Sequence, residues 1–159
     1  MLQQVMTEPG KIEFHEVPVP EISDREVLIK IMKIGICGSD IHVYHGEHPF
    51  TSYPVTQGHE VSGEVVKAGR AVTGLKPGQK VTIQPQVVCG QCYPCRHGKY
   101  NLCEDLKVMG FQTTGVASHY FEMCIRDRFN GMTAEEAAEQ YNKIQLEQIS
   151  GYDKQEKYP

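Results

Sequence analysis

Four cysteines at positions 89, 92, 95 and 103 follow the spacing Cys-x2-Cys-x2-Cys-x7-Cys, and upstream of them lie Cys37-Gly-Ser-Asp and Gly58-His59-Glu60. Thiolate, imidazole and carboxylate in this company are the ligand types of zinc. The four-cysteine spacing lets a short lobe close round one tetrahedral ion, with sulfurs at about 2.3 Å from it. An iron-sulfur cluster competes, because Cys-x2-Cys-x2-Cys also opens the ferredoxin pattern. That pattern continues with a gap of three and then Cys-Pro, whereas here the gap is seven and Pro94 precedes Cys95. Disulfide pairing is the third reading, and a reducing compartment disfavours it. Structural zinc on Cys89, Cys92, Cys95 and Cys103 is the expectation. With every ligand position filled by protein, such a site stabilises and does not catalyse. Four thiolates round one Zn2+ carry a formal charge of about -2. Arg96 and Lys99 lie inside the loop, either to offset that charge or as two solvated side chains with no role.

Cys37, His59 and Glu60 need more care. A lone cysteine at a strand end is usually a small buried hydrophobe, and a lone histidine a satisfied core or surface residue. The setting changes that reading: Gly58, Gly63 and Gly69 fix backbone corners around the His59-Glu60 pair.

The run Gly58-His59-Glu60, two residues, Gly63, five residues, Gly69, two residues and Val72 resembles the signature of the zinc-containing medium-chain alcohol dehydrogenases. Cys37-Gly-Ser-Asp and the four-cysteine loop fall at that family's places and spacings. The resemblance covers residues 1 to about 122 and implies a GroES-like catalytic domain. It further implies two zinc ions per chain, one structural and one catalytic, with Cys37 and His59 as ligands of the catalytic ion. Glu60 is either a further ligand or a carboxylate that can swing onto the metal. Ser39 matches the hydroxyl that touches the substrate oxygen, and His42 a later station of a proton relay. A solvated loop histidine is the competing reading of His42, and His45 and His48 have no assigned role. Zinc with an open position is a Lewis acid that makes a bound alcohol more acidic. By the same resemblance, Ser39 passes the proton on and hydride leaves the carbinol carbon for NAD(P). The run from Cys37 to His42 looks more like polyol and threonine dehydrogenases than simple alcohol dehydrogenases.

The elements that must position these groups read as mainly β. Ile12 to Val17 alternates imperfectly and ends at Pro18 and Pro20, which suggests an edge strand. Glu26 to Ile36 is rich in β-branched residues and reads as a mostly buried strand that delivers Cys37. Residues 38 to 57 read as loop with a turn of helix near Ser39 to Tyr44. Glu60 to Gly69 reads as a strand whose Gly63 marks a bulge or a close backbone approach. A turn at Leu75 to Val81 feeds a strand from Lys80 to Gln84, the metal is the only evident source of order in Cys89 to Cys103, and short strands resume between 108 and 122. Short strands with Gly and Pro corners point to a small, partly closed β-barrel carrying a zinc-binding loop.

From Thr133 the sequence turns helical, with Glu136 three residues on in a capping-box pattern and Gly151 as the stop. The hexapeptide 123 to 128 resembles translated adapter sequence. The expectation is a domain over 1–122 and an unassigned, foreign or truncated helical tail over 123–159. No two of the fifteen glycines are spaced Gly-x-Gly, so the dinucleotide fingerprint and with it the Rossmann domain are absent from this chain. By itself the 159-residue chain is therefore expected to be inactive.

The formal net charge is -4 with Lys and Arg dispersed, which excludes a basic stripe for nucleic acid or an anionic membrane. The opening residues lack the basic flank and apolar core of a secretory signal, and no stretch of about 18 apolar residues occurs, so a cytoplasmic location is expected. The expected partner is a small alcohol, polyol, aldehyde or ketone, with no preference as to oligomeric state. Two rival classes remain: a non-catalytic zinc-binding interaction module that docks through its tail helix, and a zinc-free reductase on the same barrel, which the ligand residues disfavour.

Overall fold

A computed structural model describes residues 1–124; the helix expected from Thr133 lies outside them. Among the described residues, eight strands form three antiparallel sheets. β1 (Leu2–Glu8) and β2 (Lys11–Glu16) make a hairpin. β3 (Glu26–Gly35), β4 (Glu60–Ala68), β5 (Lys80–Thr82) and β8 (Tyr120–Cys124) form the main sheet in the order β5-β4-β3-β8, and β6 (Gln86–Val87) pairs with β7 (Lys107–Val108). Isolated bridges from Gln3 to Ser118 and Met6 to Val55 tie the hairpin to the rest, so the strands curl without forming a continuous ring. The mainly β, GroES-like expectation holds in this partly closed form.

The core lies on one face of the main sheet, where Val27, Ile29, Val61, Val65, Ile83, Val116 and Phe121 pack together. Each such side chain contributes about 1.5–3 kcal/mol by leaving water. A second cluster of Met6, Val43, Val55 and Phe111 joins the hairpin to helix α1 (Gly38–His45). At Gly63 both expectations are met: the β3–β4 register shifts between Ile31 and Lys33, and a Cβ there would stand 2.4 Å from Ile29 Cγ2 and 2.8 Å from the Lys30 carbonyl oxygen.

The structure departs from the sequence reading in several places. β1 was not foreseen, because its apolar residues do not alternate with polar ones, and its order comes from pairing with β2 and with residues 55 and 117. β3 is buried only over Val27–Ile29; β8 covers its edge as far as Lys30, and beyond that Met32, Ile34 and Ile36 are exposed, Ile36 to 81%. β5 stops at Thr82, two residues short of Gln84. The Cys89–Cys103 lobe has order of its own, in the helical turn α2 (Tyr93–Arg96) and a 3-10 turn (Tyr100–Leu102).

Candidate metal centres

β3 runs out at Gly35 and the chain turns into α1 through Cys37, whose extended backbone makes it the residue before the first helical turn. Asp40, the third residue of the helix, accepts the Cys37 backbone N–H at 2.9 Å, and Gly46 closes the other end in the left-handed conformation. The Ser39 hydroxyl donates to Cys37 Sγ at 3.2 Å. A short capped helix thus fixes both the sulfur and a hydroxyl beside it.

His59 reaches the same point from the start of β4. Gly58 before it has φ +89°, and the Gly58 carbonyl accepts from Val116 N–H at 3.0 Å while Gln57 accepts from Ala117 at 3.0 Å. Gln57 Nε2 also donates to the Asp40 carbonyl at 3.0 Å. The segment ahead of His59 is thereby stitched to α1 on one side and to residues 115–117 on the other. On its apolar side the His59 ring packs against Phe111, with centroids 4.9 Å apart, and Phe111 stacks on His48 at 4.5 Å.

Ligand atoms of Cys37, His59 and Glu60 lie within 4.8 Å of one another. Glu60 is exposed, while His59 and Cys37 are half-buried. His59 Nδ1 and Asp40 Oδ1 are buried, have no hydrogen-bond partner and face each other at 3.6 Å. A buried imidazole left orphaned on one nitrogen beside a carboxylate is the arrangement that orients a metal-ligating histidine. The sulfur, nitrogen and oxygen donors suit zinc, and among the described residues three protein groups converge, so this donor set fits an ion with an open position.

The second centre is the sulfur-only lobe. Ligand sulfurs of Cys89, Cys92, Cys95 and Cys103 also lie within 4.8 Å of one another. Cys89 and Cys95 are 4.0 Å apart, close to the edge of about 3.8 Å that a tetrahedron with sulfurs at about 2.3 Å requires. Backbone N–H groups of Cys89 and Cys92 point at Cys103 Sγ and Cys89 Sγ at 3.3 and 3.4 Å. Donation from the backbone of Gln91 and Cys92 draws the Cys89 thiol down to about 6, whereas burial pushes Cys95 up to about 12. Arg96 and Lys99 are exposed.

His42 stands apart from the mixed cluster. It lies in the last turn of α1, exposed, with Nδ1 3.2 Å from Glu47 Oε2. Asp40, Gln57 and Phe111 are the residues sequence reasoning left without a role. Only Asp40 carried a signal, the Cys37-x-x-Asp40 spacing of a helix start. A cleft of about 590 Å³ is lined by Val5, Phe50, Thr56, Phe111 and Thr113. No helix among the described residues is long and apolar enough to cross a membrane.

Comparison with known proteins bears on this geometry. The model of the alcohol dehydrogenase GroES-like domain matches residues 23–130. The uncharacterized zinc-type alcohol dehydrogenase-like protein of Haemophilus influenzae is 45% identical over 111 residues, covering 69% of this chain and 32% of the relative. L-galactonate-5-dehydrogenase of Escherichia coli is 45% identical over 108 residues, covering 68% and 31%. The crystal structure of galactitol-1-phosphate dehydrogenase from Escherichia coli superposes with a TM-score of 0.72 at 32% identity, over 78% of this chain and 36% of that one. The chain thus spans about a third of the length of the curated relatives it matches. Sequence, fold and the match over residues 23–130 agree that this chain belongs to the zinc-type medium-chain alcohol dehydrogenases, of which it carries the GroES-like domain.

Proposed function

We propose that residues 1–122 form the catalytic domain of a zinc-dependent oxidoreductase that moves hydride between the CH–OH group of an alcohol or polyol and NAD(P). The observation that carries this reading is the convergence of Cys37, His59 and Glu60 within 4.8 Å, apart from a four-sulfur cluster that leaves no open position. Cys37 and His59 hold the catalytic zinc with Glu60 beside it, and Cys89, Cys92, Cys95 and Cys103 hold the structural one. When bound at the mixed site, zinc supplies Lewis acidity toward a substrate hydroxyl or carbonyl oxygen.

The chain's own residues do the rest. The Asp40 carboxylate faces His59 Nδ1 at 3.6 Å, near enough to bias the ring so that its other nitrogen would be left to hold the metal. Ser39 is poised beside Cys37 to take the substrate's hydroxyl proton, and His42, exposed and paired with Glu47, is the outer station of the relay, with water carrying the proton between the two. Phe111 closes the site against water on one side. No two glycines in these 159 residues are spaced Gly-x-Gly, so we infer that the residues given do not by themselves hold the nicotinamide.

Native mass spectrometry tests the assignment. Wild type is expected to carry two zinc ions, and Cys37→Ser or His59→Ala one, with the four-cysteine ion retained. Loss of both ions, or of neither, would overturn the reading. Asp40→Asn is expected to keep both ions at saturation while weakening the mixed site by about 10–100-fold, read by competition with a chelator. An unchanged chelator profile would show that the carboxylate does not orient His59.

A further inference from the structure

We infer that Gly35 is a positioning residue for the mixed site, because the side chain it lacks leaves the slot in which the Glu60 carboxylate lies beside Cys37 and His59. Gly35 is the last residue of β3 and pairs with Glu60, the first residue of β4. A Cβ at Gly35 would stand 2.6 Å from Glu60 Oε2, 3.1 Å from its Cβ and 3.6 Å from its Cδ. These three nearest atoms all belong to Glu60. Backbone conformation does not require glycine here, since Gly35 is not among the residues with positive φ. Glycine also weakens a strand by its entropy and by offering nothing to pack. What it provides at this point is room for one carboxylate.

The consequence concerns where Glu60 rests. Its side chain folds back across the end of β3, and that places a carboxylate oxygen within 4.8 Å of the ligand atoms of Cys37 and His59. A methyl at position 35 closes the slot, and because Oε2 is the far end of a flexible side chain, the carboxylate swings out while the strands stay paired. Gly38, three residues on, is the contrasting case, with nothing within 4 Å of its Cβ position.

This inference rests on the mixed site holding metal, and the test separates the two. The full 159-residue chain is titrated with Co2+, whose visible bands report coordination, while zinc retained by the four-cysteine lobe serves as internal reference. Gly35→Ala is expected to weaken Co2+ at the mixed site on the order of tenfold and to alter its bands. Glu60→Ala is expected to do the same, and adding Gly35→Ala to Glu60→Ala to change little more, because the two act through one group. Gly38→Ala is expected to match wild type. An equal effect of Gly35→Ala in both backgrounds, or none in the wild-type background, would overturn the inference. If Gly35→Ala alone fails to fold, a folded Gly35→Ala/Glu60→Ala double variant supports the slot, and an unfolded one overturns it. Co2+ uptake confined to the four-cysteine lobe in wild type would instead refute the mixed site itself, and this inference with it.

Discussion

Cys103→Ser is expected to release one zinc ion and to unravel the lobe from Cys89 to Cys103 while the main sheet stays folded. The lobe's apolar content is small: Val88, Cys95 and Cys103 are its buried residues, with Tyr100 and Leu106 half-covered against them. Its helical pieces span four and three residues, far below the length at which a helix stands alone. Metal bound there would therefore dominate its stability, since structural zinc sites are worth about 10–16 kcal/mol at neutral pH. Limited proteolysis should show new cuts between 89 and 103 in the variant, and native mass spectrometry one ion instead of two. His59→Ala loses an ion as well, but its lobe should remain resistant. Equal resistance in Cys103→Ser and wild type would mean that the apolar contacts suffice without metal.

The two centres were legible for different reasons. A four-sulfur site within fifteen residues is local, so its spacing alone announces it. The mixed site joins residues about twenty apart, and only the glycine-framed run around His59 marked it before the strands were placed. β3 and β4 were readable because their β-branched runs are long. β1 was not, because its pairing partners at β2, Val55 and Ala117 supply its order. The exposed end of β3 escaped prediction too, since composition does not show where a neighbouring strand stops. Asp40, Gln57 and Phe111 act through contacts across the fold, and no spacing in one sequence encodes those. Gly35 looked like an ordinary residue of a strand until Glu60 was seen lying over it.

Gly115→Ala is expected to be among the most damaging single-methyl changes in the described fold, although Gly115 is not itself a candidate ligand. A Cβ there would fall 2.3 Å from the Gln57 carbonyl oxygen, 2.5 Å from its carbon and 2.6 Å from the Gly58 oxygen. All three are backbone atoms, so no rotamer change relieves the overlap. The backbone cannot yield easily either. Thr56 accepts from Gly115 N–H at 2.8 Å, Gln57 is bonded to Asp40 at 3.0 Å and to Gln4 at 3.1 Å, and Gly58 is bonded to Val116 at 3.0 Å. Overpacking of this kind costs about 3 kcal/mol or more. That corresponds to a fall in melting temperature of about 10 °C for a chain of this size. The displacement passes directly to His59, one residue beyond Gly58, so the variant should lose metal from the mixed site and keep the ion of the four-cysteine lobe. Gly38→Ala, at the start of α1 with open space at its Cβ position, should match wild type or gain up to about 1 kcal/mol from helix propensity. Calorimetric melting together with zinc counting decides the matter. If Gly115→Ala melted within about 2 °C of wild type and kept both ions, the 115–117 segment would not be what holds His59 in place.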